Sequence, residues 1–177
     1  MSIIATNQSG DFEKAPTGLQ QAVCVFVHDI GFQVGTWAGQ EKIQHKIIIT
    51  WELAEKMQNS ERFTLSKWYT LSLHEKANLR KDLEGWRGKP FSEDELKGID
   101  LEELKGANCF LNITATATDK RKVVAVAPLP KGTPQMKPIS TQPSEKFAQW
   151  IAQERAKAVN PSVATTAPAE GESDLPF

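Results

Sequence analysis

No apolar run in this chain approaches the ~20 residues that a membrane-spanning helix needs, so nothing points to a membrane. The opening residues, MSIIATNQSGDFEKAPTG, lack the basic start and apolar core of a signal peptide. A cytoplasmic protein is the expectation. Cysteine is scarce. Cys24 and Cys109 both sit in alternating apolar stretches and read as reduced core thiols, not as a disulfide framework. The three histidines, His28, His45 and His74, do not stand at metal-ligand spacing with one another or with the cysteines. No glycine cluster carries the GK[ST] ending of a phosphate-binding loop. The acids gathered between Ser92 and Glu103 have helix-capping spacing, which accounts for them more simply than a two-metal nuclease cluster would. An enzyme, a metal site and a bound cofactor are therefore not expected.

What the chain has is enough length, 177 residues, for one domain with a sizeable core and an appended tail. Its 40% hydrophobic and 24% charged residues are ordinary for a globular protein. The formal net charge of −1 hides an asymmetry. Three acids lie in the tail (Glu170, Glu172 and Asp174), and residues 1–157 without them carry +2. Between Arg62 and Lys89, seven cations face three acids. A basic body with an acidic tail is the pattern expected where a tail competes with a polyanion for one surface.

Residues 1–20 read as a flexible arm, with Pro16 and Gly18 as breakers. Gln21 to Trp37 is a long β segment bent near Asp29-Ile30-Gly31, followed by a mobile hairpin loop over Thr36 to Glu41. In the second strand, Ile43 to Ala54, alternation sets Ile43, His45, Ile47, Ile49, Trp51 and Leu53 against Gln44, Lys46, Ile48, Thr50 and Glu52. The third runs from Arg62 to Leu73. Phe63, Leu65, Tyr69, Leu71 and Leu73 face the core, and Lys67 interrupts that set, which suggests a bulge or a sheet edge. Leu79, Leu83 and Trp86 mark a helix over Glu75 to Trp86, stopped by Gly85 and Gly88. Ala107 to Ala117 and Lys122 to Pro128 are the fourth and fifth strands. Residues 131–158 give an extended Pro-rich linker and a helix over Pro143 to Ala158, with Phe147, Trp150 and Ile151 on one side. That pattern suits packing on its own sheet or on a second copy, so a homo-oligomer stays open.

Five strands with a helical insertion between the third and fourth follow the order of an OB-fold over residues 21–130. Another small barrel or an α+β sandwich is the alternative, since strand count does not fix topology. An OB-type barrel binds oligonucleotides across its second and third strands and the flanking loops. Single-strand binding asks for cations along the phosphates and aromatic faces for the bases. The candidates are Trp37 in the first hairpin, Lys46 on the second strand, and Lys67 and Trp68 on the third. Lys76, Arg80 and Arg87 lie on the helical insertion, and Lys120, Arg121 and Lys122 at the last β-turn. Trp51 and Trp86 sit in apolar sets and read as core.

From Ala158 to Gly171 the chain is almost wholly Ala, Pro, Ser, Thr and Val without periodicity, so residues 159–177 are expected to be a disordered tail. The tail ends in Glu172-Ser173-Asp174-Leu175-Pro176-Phe177, an acidic run closing on an apolar hook. Those last residues resemble the acidic tip of bacterial-type single-stranded DNA-binding proteins. Residues Tyr69 to Phe91 (YTLSLHEKANLRKDLEGWRGKPF) and Leu104 to Ile113 (LKGANCFLNI) resemble proteins of tailed bacteriophages that act in genome replication and recombination. The resemblance implies an OB-fold protein that coats single-stranded DNA in the cytoplasm of the host bacterium. It also implies that Phe177, Pro176, Leu175 and Asp174, with Glu172 and Glu170 as steering charge, capture replication, recombination or repair proteins. Two other roles fit the same residues: an adaptor that uses the tip alone, and a strand-annealing recombination protein.

Overall fold

The computed structural model describes residues 13–161. The flexible-arm reading of residues 1–12 and the tail and tip from residue 162 onward lie outside the described residues. Within them the fold is mainly β: one five-stranded antiparallel sheet and two helices. The strands are β1 (Gly18–Trp37), β2 (Gln40–Lys56), β3 (Arg62–Thr70), β4 (Asn108–Ala115) and β5 (Arg121–Ala127). Helix α1 (Asn78–Arg87) lies between β3 and β4, and α2 (Glu145–Ala156) follows β5. The sheet order is β3-β2-β1-β4-β5. The ladder between β3 and β5 that would close a barrel is absent among the described residues. Helix α1 packs against both of those strands at the open seam.

Alternation places the core as the sequence indicates. Ile47, Ile49, Trp51 and Leu53 of β2 meet Ala22 and Cys24 of β1, Leu111 and Ile113 of β4, and Leu79, Leu83 and Trp86 of α1. Both cysteines are buried free thiols, and burial pushes Cys24 up to about 12. The Trp86 indole N–H, which would be costly to bury unpaired, donates to the Asn108 carbonyl at 2.9 Å.

Two local departures shape the sheet. The first hairpin is not a loop over residues 36–41. Trp37 pairs with Gln40, and Ala38 (φ 51°) and Gly39 (φ 78°) make a two-residue turn with both central residues left-handed. The bend foreseen near Asp29 is a β-bulge at Asp29–Gly31. Asp29 Oδ1 accepts from the Gly31 N–H at 2.8 Å, and Ile30 packs on the outer face with Ile48 and with Ile151 of α2. Thus β2 is covered on both faces.

Residues read as part of the arm are held instead. Gly18 to Gln20 pair with β4, Ala15 is buried, and Glu13 accepts from the Gln58 N–H. Helix α1 starts at Asn78 and contains Gly85. Its stop is Gly88 alone, left-handed at φ 74° with its N–H on the Glu84 carbonyl. The capping box of Ser92 and Glu95 forms, with reciprocal bonds of 3.3 and 2.7 Å.

After β5 the Pro-rich linker crosses the outer face of the sheet as a strap. Asn108 exchanges two hydrogen bonds with the backbone of Met136. Glu52, buried on the outer side of β2, accepts from the backbone N–H groups of Ile139 (3.0 Å) and Ser140 (2.6 Å) and from Arg62 (3.2 Å). Beyond the strap, Ser144 caps α2 by accepting from the Phe147 N–H. The strap thereby sets where α2 lands.

Candidate nucleic-acid interface

The outer face of β2 and β3 is built by strand alternation. Lys46 sits opposite Thr70, Ile48 opposite Trp68, and Thr50 opposite Ser66. Ile48 is sealed under α2, whereas Trp68 is 40% exposed. The tight first hairpin projects Trp37 at the end of β1, 67% exposed, toward the same region. Between them lies a groove of about 560 Å³ lined by Trp37, Gln44, Lys46, Trp68, Thr70 and Lys76.

Its chemistry is aromatic, cationic and hydroxylic at once. Lys46 donates to Thr70 Oγ1 at 2.7 Å, and partial burial lowers the pKa of its ammonium. A cation with part of its water already removed gives up less solvation when an anion arrives. Thr70 in turn donates toward Gln44 Oε1 at 3.5 Å, and Lys76 is exposed at the rim. Two indole faces and three lysines, Lys42, Lys46 and Lys76, beside neutral polar side chains suit a ligand with alternating flat rings and anions.

Four of the ten sequence-indicated residues meet here: Trp37, Lys46, Trp68 and Lys76. The other six do not join them. Lys67 points inward at the sheet edge, where its Nζ lies 2.6 Å from Asp82 Oδ2 and over the Tyr69 ring. Arg80 is committed to Glu84 at 3.0 Å and to the Leu73 carbonyl. Arg87 pairs with Glu95 at 2.8 Å and covers Phe91. Arg121 donates to the Ala15 carbonyl at 2.6 Å and to Asp119 at 2.8 Å. Lys120 and Lys122 are exposed at the β4–β5 turn, away from this groove.

Sequence reading missed Lys42, Gln44 and Thr70 as groove walls. Their signal was present, because they share the outward register of Lys46 and Trp68. It missed Trp150 too, which stands edge-on to Trp68 with ring centroids 5.8 Å apart. Among the described residues no His, Cys, Asp and Glu group is arranged to hold a metal, and no helix is long and apolar enough to cross a membrane. Set against protein-family models, curated proteins and solved structures, the chain matches none of them.

Proposed function

We propose that this chain is a single-stranded DNA-binding protein of the phage type, indifferent to base sequence, that lays the strand across the outer face of β2 and β3. The observation that carries this reading is the pairing of exposed Trp37 and Trp68 in one groove with Lys46 and Lys76. Exposing large aromatics costs solvation unless they meet something, and stacking a base on one is worth ~1–3 kcal/mol. The strand order lends support. An OB barrel opened between its third and fifth strands has the neighbour order seen here, with a helix at that seam, and such barrels bind oligonucleotides on the second and third strands. In this reading the protein works in the host cytoplasm, and Asp174 to Phe177 recruit replication, recombination or repair proteins.

Titrating the protein with a ~30-nucleotide oligo-dT at low and high salt, while following tryptophan emission, tests the proposal. Quenching that weakens with salt supports it. An unchanged signal together with no binding by a separation assay would sink it.

A second reading draws on the ion pairs. Lys67, Arg80, Arg87 and Arg121 are spent inside the protein, which thins the free cations on a body of only +2. An adaptor that works through the tip alone would need none of them.

A further inference from the structure

The outer face of β2 and β3 carries a second groove, of about 800 Å³, on the far side of Trp150. Its floor is the hydroxyl row Thr50, Thr64 and Ser66, with Thr50 and Ser66 joined by a 2.8 Å hydrogen bond. Its wall is α2, which presents Phe147, Trp150 and the exposed Lys146. Glu52 also lines it, but that carboxylate is taken up by Arg62 and by the N–H groups of the strap. Glu61, at the rim, accepts from Asn59. Arg62 and Lys146 balance Glu52 and Glu61, so the groove is close to neutral, hydroxylic and aromatic, with Lys146 on the α2 wall and Glu61 at the opposite rim.

The two grooves meet at a ridge of rings. Trp68 lines the first and Trp150 the second, and the two stand edge to face at 5.8 Å. Trp150 stacks in turn on Phe147, with centroids 5.5 Å apart and planes 30° apart. Six residue steps along β3, from Thr64 to Thr70, span about 20 Å. That length passes the whole ridge and enters both grooves.

Resting on the single-strand reading, we infer that the groove beneath α2 is a second subsite for the same strand. Trp150 is its stacking face and Lys146 its phosphate contact. The C-terminal helix then serves as one bank of the binding channel besides packing on the sheet. The first groove is the more cationic and anchors a short stretch, and the second adds affinity only when the strand is long enough to cross the ridge.

The test compares fluorescently labelled oligo-dT of ~3 and ~15 nucleotides, the shorter unable to span the ~20 Å from one groove to the other and the longer able to cross the ridge. The variants are Lys146→Glu, Trp150→Leu and, as a control on the first groove, Trp37→Ala. Lys146 lies in the first turn of α2, where an acidic side chain is favoured by the helix dipole, so Lys146→Glu should fold. If Trp150→Leu fails to fold, Lys146→Glu decides alone.

The expected result is a loss of at least about fivefold for the long oligonucleotide with Trp150→Leu, and about threefold or more at low salt with Lys146→Glu. Affinity for the short one should be unchanged with Lys146→Glu and should fall by less than for the long one with Trp150→Leu, which also takes away the ring beside Trp68, while Trp37→Ala weakens both lengths. If folded α2 variants keep the full gain from short to long strand while Trp37→Ala weakens binding, the second subsite is wrong and the first groove stands. If neither length binds the unaltered protein, both ideas fall.

Discussion

Lys67 and Asp82 form an ion pair of 2.6 Å at the edge of the sheet, and Tyr69 donates to the same Asp82 oxygen at 2.7 Å. Asp82 is buried on α1, so this pair ties the helix to β3 beside the open seam. A lysine in the middle of an apolar strand pattern thus serves the fold, and the buried Tyr69 hydroxyl has the Asp82 carboxylate as its acceptor. Burial and the neighbouring carboxylate together push the Tyr69 pKa upward, which keeps the phenol a donor.

Breaking that pair should cost stability without touching DNA affinity. Asp82→Ala leaves a shielded ammonium and a buried hydroxyl without their acceptor, and a loss of ~3–5 kcal/mol is expected in chemical denaturation. Lys67→Met should keep oligo-dT affinity within twofold of the unaltered protein, as a rough bound. A clear drop in affinity with the fold intact would return Lys67 to the interface.

The latch at Glu52 predicts an acid-sensitive strap. Burial by itself would raise this carboxyl, but the bonds from Ser140, Ile139 and Arg62 outweigh it and hold the pKa below the usual 4.5. A carboxyl depressed in the folded state contributes stability above its unfolded pKa, and that contribution drains away as pH falls through the folded value. Thermal melts should therefore fall off below about pH 4.5. Glu52→Gln should lower stability at neutral pH by ~1–3 kcal/mol and flatten this acid limb. An unchanged limb in the variant would remove Glu52 from the explanation.

Gly85 poses two opposed effects. Alanine in a helix interior gains up to ~1 kcal/mol over glycine. Here a Cβ would lie 2.7 Å from the backbone carbonyl oxygen of Val126, which belongs to β5 and has little room to retreat. Overpacking of this kind costs ~1–3 kcal/mol, so Gly85→Ala should be net destabilising and lower the melting temperature. A stabilised variant would mean that α1 and β5 separate easily at the seam.

Much of the sheet was legible because period-two alternation in Ile43 to Ala54 and in Arg62 to Thr70 states which side chains share a face; extending it to Leu73 was wrong, since β3 ends at Thr70 and Leu71 beyond it is exposed. The break at Asp29-Ile30-Gly31 was legible because a glycine two residues after an aspartate within a strand marks a local kink. Closure was not legible, since pairing of β3 with β5 depends on contacts distant in sequence. Nor could charge show which cations are spent: Arg80 and Arg87 read as phosphate-contact candidates until Glu84 and Glu95 are seen beside them. The position of α2 over Ile48 was hidden too, because its apolar side, Phe147, Trp150 and Ile151, names no partner.

The most direct test of the interface is fluorescence anisotropy of a labelled oligo-dT with Trp37→Ala, Trp68→Ala and the double variant, each first checked for an unchanged far-ultraviolet spectrum. Losing both stacking faces should weaken binding by at least about tenfold, with salt sensitivity kept because Lys46 and Lys76 remain. Affinity undiminished in the folded double variant would contradict the assignment of this groove to single-stranded DNA.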